Sequence, residues 1–414
     1  MDRARLNVVG FLLLAYLPLS FFFMDTSSMS MIAAWNRLDL RQAAETRFLQ
    51  SIIGSSTDDY TRSSYNNQSF SACLLVMDDN HRLDEWIAYH WYVLPLRYLV
   101  IAVDPHSKTS PTAVLNKWRR YLNIVEWTDS NFTLDNLMMQ PDDHPDLKKR
   151  KHRTRQTSFY VECARHLMQA NRTWTSYIDI DEFLTLNRDV VGEQDEQLVY
   201  RSGSVMKMLL KYSSNETSST TEQEKRWHRH FQGKVCVSIP RSLYSAVESA
   251  EDIIEKDVPP NLGFNATQLE TLRFRYRATA PRGKSRDGLG KSLLDVSQVQ
   301  PNDLKPGTAH RPIGICPRPL QNYDEVPIGI HHYLGSWESY SSREDARKGT
   351  LRNFNVWTER SVLQSGGADD EVRPWLEGFV REIGVGTAGN LLRMGGIPPR
   401  KQDNETASWA KIGT

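Results

Sequence analysis

The chain has 414 residues, enough for one large α/β domain with additional segments. Its 51 lysines and arginines nearly cancel its 50 aspartates and glutamates, so the molecule has no overall electrostatic field that would hold a polyanion. The composition therefore predicts no nucleic-acid partner, and any function must be inferred from individual motifs.

The first feature along the chain is an uncharged apolar stretch, Leu6 to Met24, which is long enough to cross a bilayer. Arginines precede it and an aspartate follows, so the positive-inside rule predicts a cytosolic tail at 1–5, a transmembrane signal-anchor at 6–24 and a lumenal remainder. The alternative is a cleaved signal peptide, but the stretch ends in Phe-Phe-Met and lacks the small residues of a cleavage site. We expect a single-pass type II protein of the Golgi or another secretory-pathway membrane.

The cysteines and glycosylation motifs are consistent with a lumenal domain. Four cysteines in an oxidising lumen allow two disulfides, and no Cys-x-x-Cys pair indicates zinc. Cys236 and Cys316 flank loops and are predicted to pair, whereas Cys73 in a strand-like run and Cys163 in a helical run are predicted to be buried thiols. Acceptors of the form Asn-x-Ser/Thr occur at Asn67, Asn131, Asn171, Asn215, Asn265 and Asn404.

The remainder of the chain divides into three predicted parts. Residues 25–70 are polar and rich in serine and threonine, which is typical of a stem. Residues 71–395 are predicted to form the catalytic domain, because apolar strand-like runs begin there and alternate with helical patterns. Residues 396–414 are predicted to be a tail.

Alternating elements in the first half of that domain predict a mostly parallel, doubly wound sheet. The run Ala72–Met77 is typical of a strand buried on both faces, Leu83–Leu94 has helical spacing, and Tyr98–Val103 is a second strand. A helix is predicted at Ser158–Ala170, capped by its first residue or the threonine before it, and another strand at Tyr177–Leu186. In such a sheet ligands bind beyond the carboxyl ends of the strands.

The motif with the clearest chemistry is Asp179-Ile180-Asp181, the one Asp-x-Asp triplet in the chain. In an extended conformation the two aspartates project to the same side and the isoleucine to the other. Two carboxylates held together repel unless a divalent cation neutralises them, and hard oxygen ligands suit Mn²⁺ or Mg²⁺. The triplet therefore predicts a site for a metal and the diphosphate of a nucleotide, with a solvated strand end as the alternative.

Three segments are distinctive together: YIDIDEFL, the helix that follows Gln156, and DNHRLDEWIAYHWYVLPLRYLVIAVD. They resemble glycosyltransferase family 92, a DUF23-like family, and related family-2-like GT-A enzymes. The similarity covers Cys73 to Asn187 and is patchy from Pro240 to Arg347. It implies a GT-A fold, which is a Rossmann-like, mostly parallel sheet with flanking helices. It also implies inverting transfer of a sugar from a nucleotide-sugar donor, such as a UDP-sugar, to a glycan or glycoprotein acceptor.

The resemblance also implies roles for residues near the strand ends. Asp104 is expected to face the nucleoside, Asp179 the ribose or metal, and Asp181 is expected to be the main metal ligand. The family's Asn-Glu after the first strand is replaced by a looser Asp-Asp-Asn, with a glutamate opening the helix. Asp79 and Glu85 are accordingly expected on the nucleotide side of the site.

A further metal ligand in this class comes from a histidine late in the domain. The candidates are His310, His331 and His332, and the sequence alone does not choose among them. The segment KSLLDVSQV and the histidine after it resemble a family strand, which implies that Lys291 meets phosphate and that His310 binds the metal. His332 lies in a patch rich in polar and aromatic residues and remains the other main candidate.

Inverting transfer requires a general base that deprotonates the acceptor hydroxyl. We nominate Glu338, with Asp324 and Glu248 as alternatives. The same patch contains Tyr333 and Trp337, which are suited to stacking on a sugar ring.

Two other motifs and two other classes of protein are alternatives to this interpretation. Gly288–Ser292 ends like a phosphate-binding P-loop, but the first glycine of that motif is missing, which argues against a kinase or sulfotransferase. The basic run Lys148–Arg155 is predicted to be an exposed loop. A lumenal glycosidase would separate its two carboxylates across the scissile bond rather than by one residue. A non-catalytic carbohydrate-binding relic of the fold is the alternative outside the enzymes.

Overall fold

The computed structural model describes one unit, because the chain divides between Ser64 and Tyr65 and every described residue belongs to the second part. The predicted cytosolic tail, signal-anchor and carboxyl-terminal tail, and nearly all of the stem, lie outside the described residues. No helix within the described part is both long and apolar enough to span a bilayer. The described residues are 69–133, 143–191, 201–214, 221–249, 251–278, 289–318, 323, 326–342, 344–345, 350–361, 369 and 372–393.

The strands form a large central sheet, a small sheet of three strands and two short hairpins. In chain order they are β1 (Phe70–Val76), β2 (Leu96–Val103), β3 (Asn123–Trp127), β4 (Trp174–Ser176), β5 (Glu182–Leu186), β6 (Cys236–Ile239), β7 (Arg241–Tyr244), β8 (Lys291–Asp295), β9 (Pro306–Thr308), β10 (Arg311–Ile313), β11 (Ile328–Tyr333), β12 (Glu344–Asp345) and β13 (Thr350–Leu351).

The central sheet has the order β3-β2-β1-β4-β8-β6. Strands β1 to β4 are parallel to one another, and β8 runs antiparallel to both β4 and β6. This confirms a mixed α/β fold with a mostly parallel central sheet. The small sheet has the order β5-β11-β7, with β11 antiparallel to β5 and parallel to β7.

Helices cover both faces of the central sheet. They are α1 (Asn80–Val93), α2 (Thr112–Trp118), α3 (Pro145–Gln169), α4 (Arg188–Val191), α5 (Ser204–Ser213), α6 (Glu222–Phe231), α7 (Glu251–Glu255), α8 (Glu270–Arg273), α9 (Trp337–Ser341), α10 (Phe354–Ser361), α11 (Trp375–Ile383) and α12 (Val385–Leu392). Alternate residues of β1 and β2 face opposite sides: Leu74 and Ile101 pack with α1, whereas Cys73 and Val100 pack with α3. The continuous apolar runs of these strands are explained by burial on both faces.

The two disulfides correct one prediction and confirm another. Cys73 and Cys163 are not thiols but are bonded to each other, joining β1 to α3. The two cysteines lie on the strand and the helix that their apolar patterns predicted. The strand and the helix pack face to face, and neither local pattern could predict that contact. Cys236 and Cys316 are bonded as predicted, which fixes the β6 edge of the sheet to the segment after β10.

Helix α3 is longer than its apolar pattern predicted. It begins at Pro145 rather than near Ser158, so the prediction that the basic run is a loop was wrong. The start is marked by local signals: His144 caps the helix, proline occupies the first turn and Asp146 adds a favourable negative charge. Only the second half shows apolar periodicity, because only that half packs on the sheet.

Helix α1 is buried on every face, so each of its polar side chains requires a partner inside the protein. His90 Nδ1 donates to the Trp86 carbonyl oxygen at 2.8 Å, and its Nε2 accepts from the Leu184 backbone N–H at 3.2 Å. The ring is therefore neutral, and burial lowers the pKa of His90 to about 3. Through this bond α1 holds the middle of β5.

Replacing His90 with phenylalanine is expected to lower the free energy of unfolding by about 2 kcal/mol at pH 7, because the Leu184 N–H loses its acceptor. The wild type loses stability as the pH falls below about 6.5, since only the unfolded chain then takes up the proton. The variant has no such group, so the difference should shrink by about 1.4 kcal/mol per pH unit on acidification. Urea unfolding at several pH values measures both effects. A difference that stayed constant down to pH 5 would contradict the assignment.

Replacing both Cys73 and Cys163 with alanine is expected to lower the free energy of unfolding by about 4 kcal/mol. The bridge joins residues that are 90 positions apart, so it strongly restricts the conformations of the unfolded chain. Mass mapping of unreduced peptides checks the pairing directly. Recovery of a peptide that links Cys73 to Cys236, or of free thiols at these positions, would refute it.

Candidate functional site

The predicted site residues gather at one edge of the central sheet. Strands β1 to β4 are parallel, so their carboxyl ends meet there, and antiparallel β8 begins at the same edge. Asp79 follows β1, Asp104 follows β2, Asp179 and Asp181 follow β4, and Lys291 opens β8. We call this the carboxyl edge.

The acidic triplet forms a turn between two strands, not part of one continuous strand as predicted. β4 ends at Ser176 and β5 begins at Glu182, and the backbone N–H of Glu182 donates to the Asp179 carbonyl oxygen at 3.0 Å. The side chain of Glu182 closes the turn by accepting from the Asp179 N–H at 2.8 Å, and Trp86 Nε1 donates to the carbonyl oxygens of both residues. The chain crosses here from the central sheet to the small sheet.

The exposure of the triplet still follows the predicted alternation. Ile180 is buried, whereas the side chain of Asp179 is 44% exposed and that of Asp181 is 16% exposed. Both carboxylates therefore reach the surface of the carboxyl edge while the isoleucine anchors the turn in the core.

Lys291 lies directly against the triplet. Its buried Nζ is 2.7 Å from Asp179 Oδ2 and 3.5 Å from Glu182 Oε2, and it donates to the Ala309 carbonyl oxygen at 3.4 Å. Burial alone would lower the pKa of Lys291, but the two carboxylates outweigh burial and raise that pKa above its ordinary value. The ammonium group therefore stays charged beside Asp179.

Glu182 is a fully buried carboxylate that the protein neutralises. Arg241 Nη1 on β7 donates to its Oε1 at 2.6 Å, and Lys291 approaches its other oxygen. Burial would raise the pKa of Glu182, but the two cations lower it below the ordinary value.

The small sheet brings a histidine to the triplet. In the antiparallel pairing of β5 and β11, His332 lies opposite Glu182, and its Nε2 is 3.6 Å from Asp181 Oδ2. The His332 side chain is 15% exposed, so the pair faces the surface together. Its neighbour His331 points into the core, where its ring nitrogens contact tyrosine hydroxyls, including that of Tyr244.

A buried arginine approaches Asp181 from the opposite side. Arg82 of α1 is 3.7 Å from Asp181 Oδ2 and pairs with Glu270 at 2.8 Å. Gly335 has φ +79°, a backbone conformation that favours glycine, and a Cβ there would also press on the guanidinium group of Arg82.

His310 lies beside Lys291 but makes no contact with either aspartate in the described structure. Its Nδ1 donates to the Gly290 carbonyl oxygen at 3.0 Å, which leaves the lone pair on Nε2. Burial first, and then the charge of Lys291, lowers the pKa of His310 to about 4. The ring is therefore neutral at pH 7, and His332 is the histidine that the structure brings to the triplet.

The carboxyl edge offers two side chains of the types that bind a divalent cation. Within the described ranges no group of three or more His, Cys, Asp or Glu side chains is arranged to hold a metal. Asp181 and His332 form a pair, and Asp179 is bound to Lys291. A carboxylate and an imidazole fit two positions of a Mn²⁺ shell, and phosphate oxygens and water are able to fill the others.

The residues that were expected on the nucleotide side of the site mainly contact other residues of the protein. Both oxygens of the buried Glu85 accept from the start of α8, from Glu270 N at 2.7 Å and from Thr271 N at 2.9 Å, and burial raises the pKa of Glu85 to about 7. Asp79 is buried at the start of α1. Asp104 is buried and lies 3.2 Å from Arg155 of α3.

The nominated bases are spread over the structure. Glu338 lies on α9. The next residue on this helix is Ser339, whose Oγ is 2.6 Å from Nε2 of His81 near the start of α1. Glu248 is 52% exposed and pairs with Arg273. Asp324 lies outside the described residues.

A group of half-buried aromatic rings adjoins Glu338. Trp337 is 4.9 Å from Phe354 and 5.9 Å from Trp357 between ring centroids, and the Trp357 indole donates to the Gly335 carbonyl oxygen. Tyr333, the other ring predicted to stack on a sugar, is buried against Phe183 and is not available at the surface.

Comparison with known proteins adds no assignment. No model of a protein family matches the sequence, and no curated protein matches it. The functional argument therefore depends on the residues themselves.

Sequence reasoning missed three charged residues of this site: Arg82, Arg241 and Glu270. Arg241 is 59 residues from its partner Glu182 in the chain, and nothing in its local pattern indicated a buried pair. Arg82 lies in the segment DNHRLDEW at the start of α1. This helix is buried on all faces, so a charged residue within it was the available signal of a buried ion pair.

Replacing Arg241 with methionine is expected to lower the free energy of unfolding by about 3 kcal/mol at pH 7, because Glu182 loses the cation that is hydrogen-bonded to it. Pairing depresses the pKa of Glu182, so its contribution is present above about pH 4.5 and is lost below it, and the deficit should shrink on acidification. Urea unfolding is the measurement. The matched control is Arg273→Met, whose partner is exposed, and equal losses in the two variants would contradict the buried-pair account.

Proposed function

We propose that the chain is a metal-dependent glycosyltransferase that transfers a sugar from a nucleotide-sugar donor, such as a UDP-sugar, to a glycan or glycoprotein acceptor. The observation that carries the proposal is the Asp181–His332 pair at the carboxyl edge, with the charged Lys291 beside it on Asp179. Ligands of mostly parallel α/β sheets bind at this edge.

Each residue has a distinct task in this proposal. Asp181 and His332 would hold Mn²⁺ (or Mg²⁺), which offsets the charge on the departing diphosphate. Lys291 is buried, permanently charged and next to the triplet, so it is suited to bind a phosphate oxygen. Arg82 adds positive charge on the other side of Asp181.

The acceptor side is assigned to α9 and α10. Trp337 and Trp357 are half-buried rings that are suited to stacking on the apolar face of a sugar. Glu338 lies next to Trp337 on the same helix and is the proposed base for the acceptor hydroxyl. The proposal includes inversion at the transferred sugar carbon because the family that the sequence resembles is associated with inverting transfer.

The proposed location is the lumen of the Golgi or another secretory-pathway membrane, with the segment at 6–24 as anchor. Two disulfides support an oxidising compartment, because such bonds are rare in proteins of the reducing cytosol. The anchor itself rests on the sequence.

The proposal predicts that Mn²⁺ and UDP bind together and that Asp181→Ala and His332→Ala each weaken this binding by about tenfold or more. Calorimetry with Mn²⁺ and UDP, followed by turnover of a panel of UDP- and GDP-sugars, measures both steps. The matched controls are Asp146→Ala and His144→Ala, since Asp146 is 93% exposed and the two form a surface pair.

Wild-type binding and turnover in Asp181→Ala would overturn the site. Binding without turnover across a broad acceptor panel would instead indicate a carbohydrate-binding or scaffolding protein.

A further inference from the structure

Helix α3 runs antiparallel to the parallel strands, and its first turns pass beyond the sheet. Cys163 in its second half is bonded to Cys73 in β1. Earlier in the helix, Arg155 pairs with Asp104 and Asp129, which lie just past the ends of β2 and β3. The helix therefore reaches the carboxyl edge at Arg155 and continues outward.

The outward part is residues 145–154, which we call the α3 extension. At the rise of an α-helix its length is about 15 Å. It projects on the side of the sheet where Asp179 and Asp181 follow β4, because β4 is parallel to β1. The extension thus lies at the same edge as the candidate site.

The α3 extension carries a concentrated positive charge on an otherwise balanced protein. Lys149, Arg150 and Arg153 are exposed and form no ion pair with any residue in the described part of the chain. Their spacing of three and four residues places them together on one helix face, where like charges repel. Lys151 differs, because it pairs with Asp143 at 2.9 Å.

We propose that the α3 extension binds an acidic glycan acceptor, one that carries several carboxylate or sulfate groups. This inference rests on the proposed function, since it names the acceptor class for the same site. Guanidinium groups match the geometry of both anions, and the cations lie where they would offset repulsion between an anionic acceptor and the acidic triplet. They would hold the acceptor while its hydroxyl reaches the donor.

Two other anionic partners fit the extension less well. The exposed large apolar side chains of the described residues are Leu210, Leu289, Ile315, Val356 and Val385, so none lies on the extension to insert among lipids. The extension also contains no Phe, Tyr or Trp on which a base would stack, as binding of a single-stranded nucleic acid would require.

The chain contains a closely matched control. Helix α6 carries Lys225, Arg226 and Arg229, the same residue types at the same spacing, and all three are exposed. The test variant is Lys149→Gln/Arg150→Gln/Arg153→Gln, and the control variant is Lys225→Gln/Arg226→Gln/Arg229→Gln.

The probe is a heparin-derived octasaccharide labelled for fluorescence anisotropy and titrated without nucleotide or metal. The α3 variant is expected to bind about tenfold more weakly at low salt and to show a smaller salt dependence, whereas the α6 variant should remain within about twofold of wild type. Thermal unfolding should be unchanged in both variants. Equal losses in the two variants, or no loss in either, would overturn the proposal.

Two further measurements make the outcome specific. Tighter binding of vesicles rich in phosphatidylserine, or of a single-stranded RNA, than of the octasaccharide would also overturn it. In transfer assays the α3 variant should raise the KM for an acidic acceptor and leave that for a neutral one unchanged. If the Mn²⁺–UDP experiment fails while only the α3 variant loses octasaccharide binding, the glycosyltransferase proposal falls and the anion-binding surface remains.

Discussion

The buried carboxylate of Glu182 is the interaction on which the site depends. It belongs to β5 of the small sheet, yet one of its oxygens faces Lys291 at the start of β8 in the central sheet. Its other oxygen is held by Arg241 on β7. A buried charge without partners would cost several kcal/mol, so the two sheets keep a relative position in which this carboxylate is neutralised.

The same carboxylate shapes the acidic turn. By accepting from the Asp179 N–H it holds the chain in a tight reversal, and the following strand pairing then carries His332 to Asp181. Lys291 is shared between Glu182 and Asp179. The exposed, reactive part of the site is therefore supported by a buried polar network beneath it, in which each charged member has an opposite charge.

The sequence predicted those parts of this arrangement that depend on local residue patterns. Apolar runs located β1, β2 and α1, and the Asp-x-Asp triplet located the carboxyl edge. It did not predict the break between β4 and β5, because that break is imposed by Trp86 and Glu182, whose hydrogen bonds to the turn are tertiary contacts. The outer half of α3 was missed for the opposite reason: it has no fully buried side chain before Arg155, so its sequence carries no apolar period and only the caps reveal it. The choice of His332 over His310 required strand register, which pairs residues distant in sequence.

The Cys73–Cys163 bond has a practical consequence for handling the protein. It ties the inner half of α3 to β1, while Arg155 further along the helix holds the loops after β2 and β3. Recombinant material produced in a bacterial cytosol would lack this tie, and the helix would be held to the sheet only by packing and by the ion pairs of Arg155. Secretion from insect or mammalian cells, or export to a bacterial periplasm, therefore suits preparations meant for ligand screening.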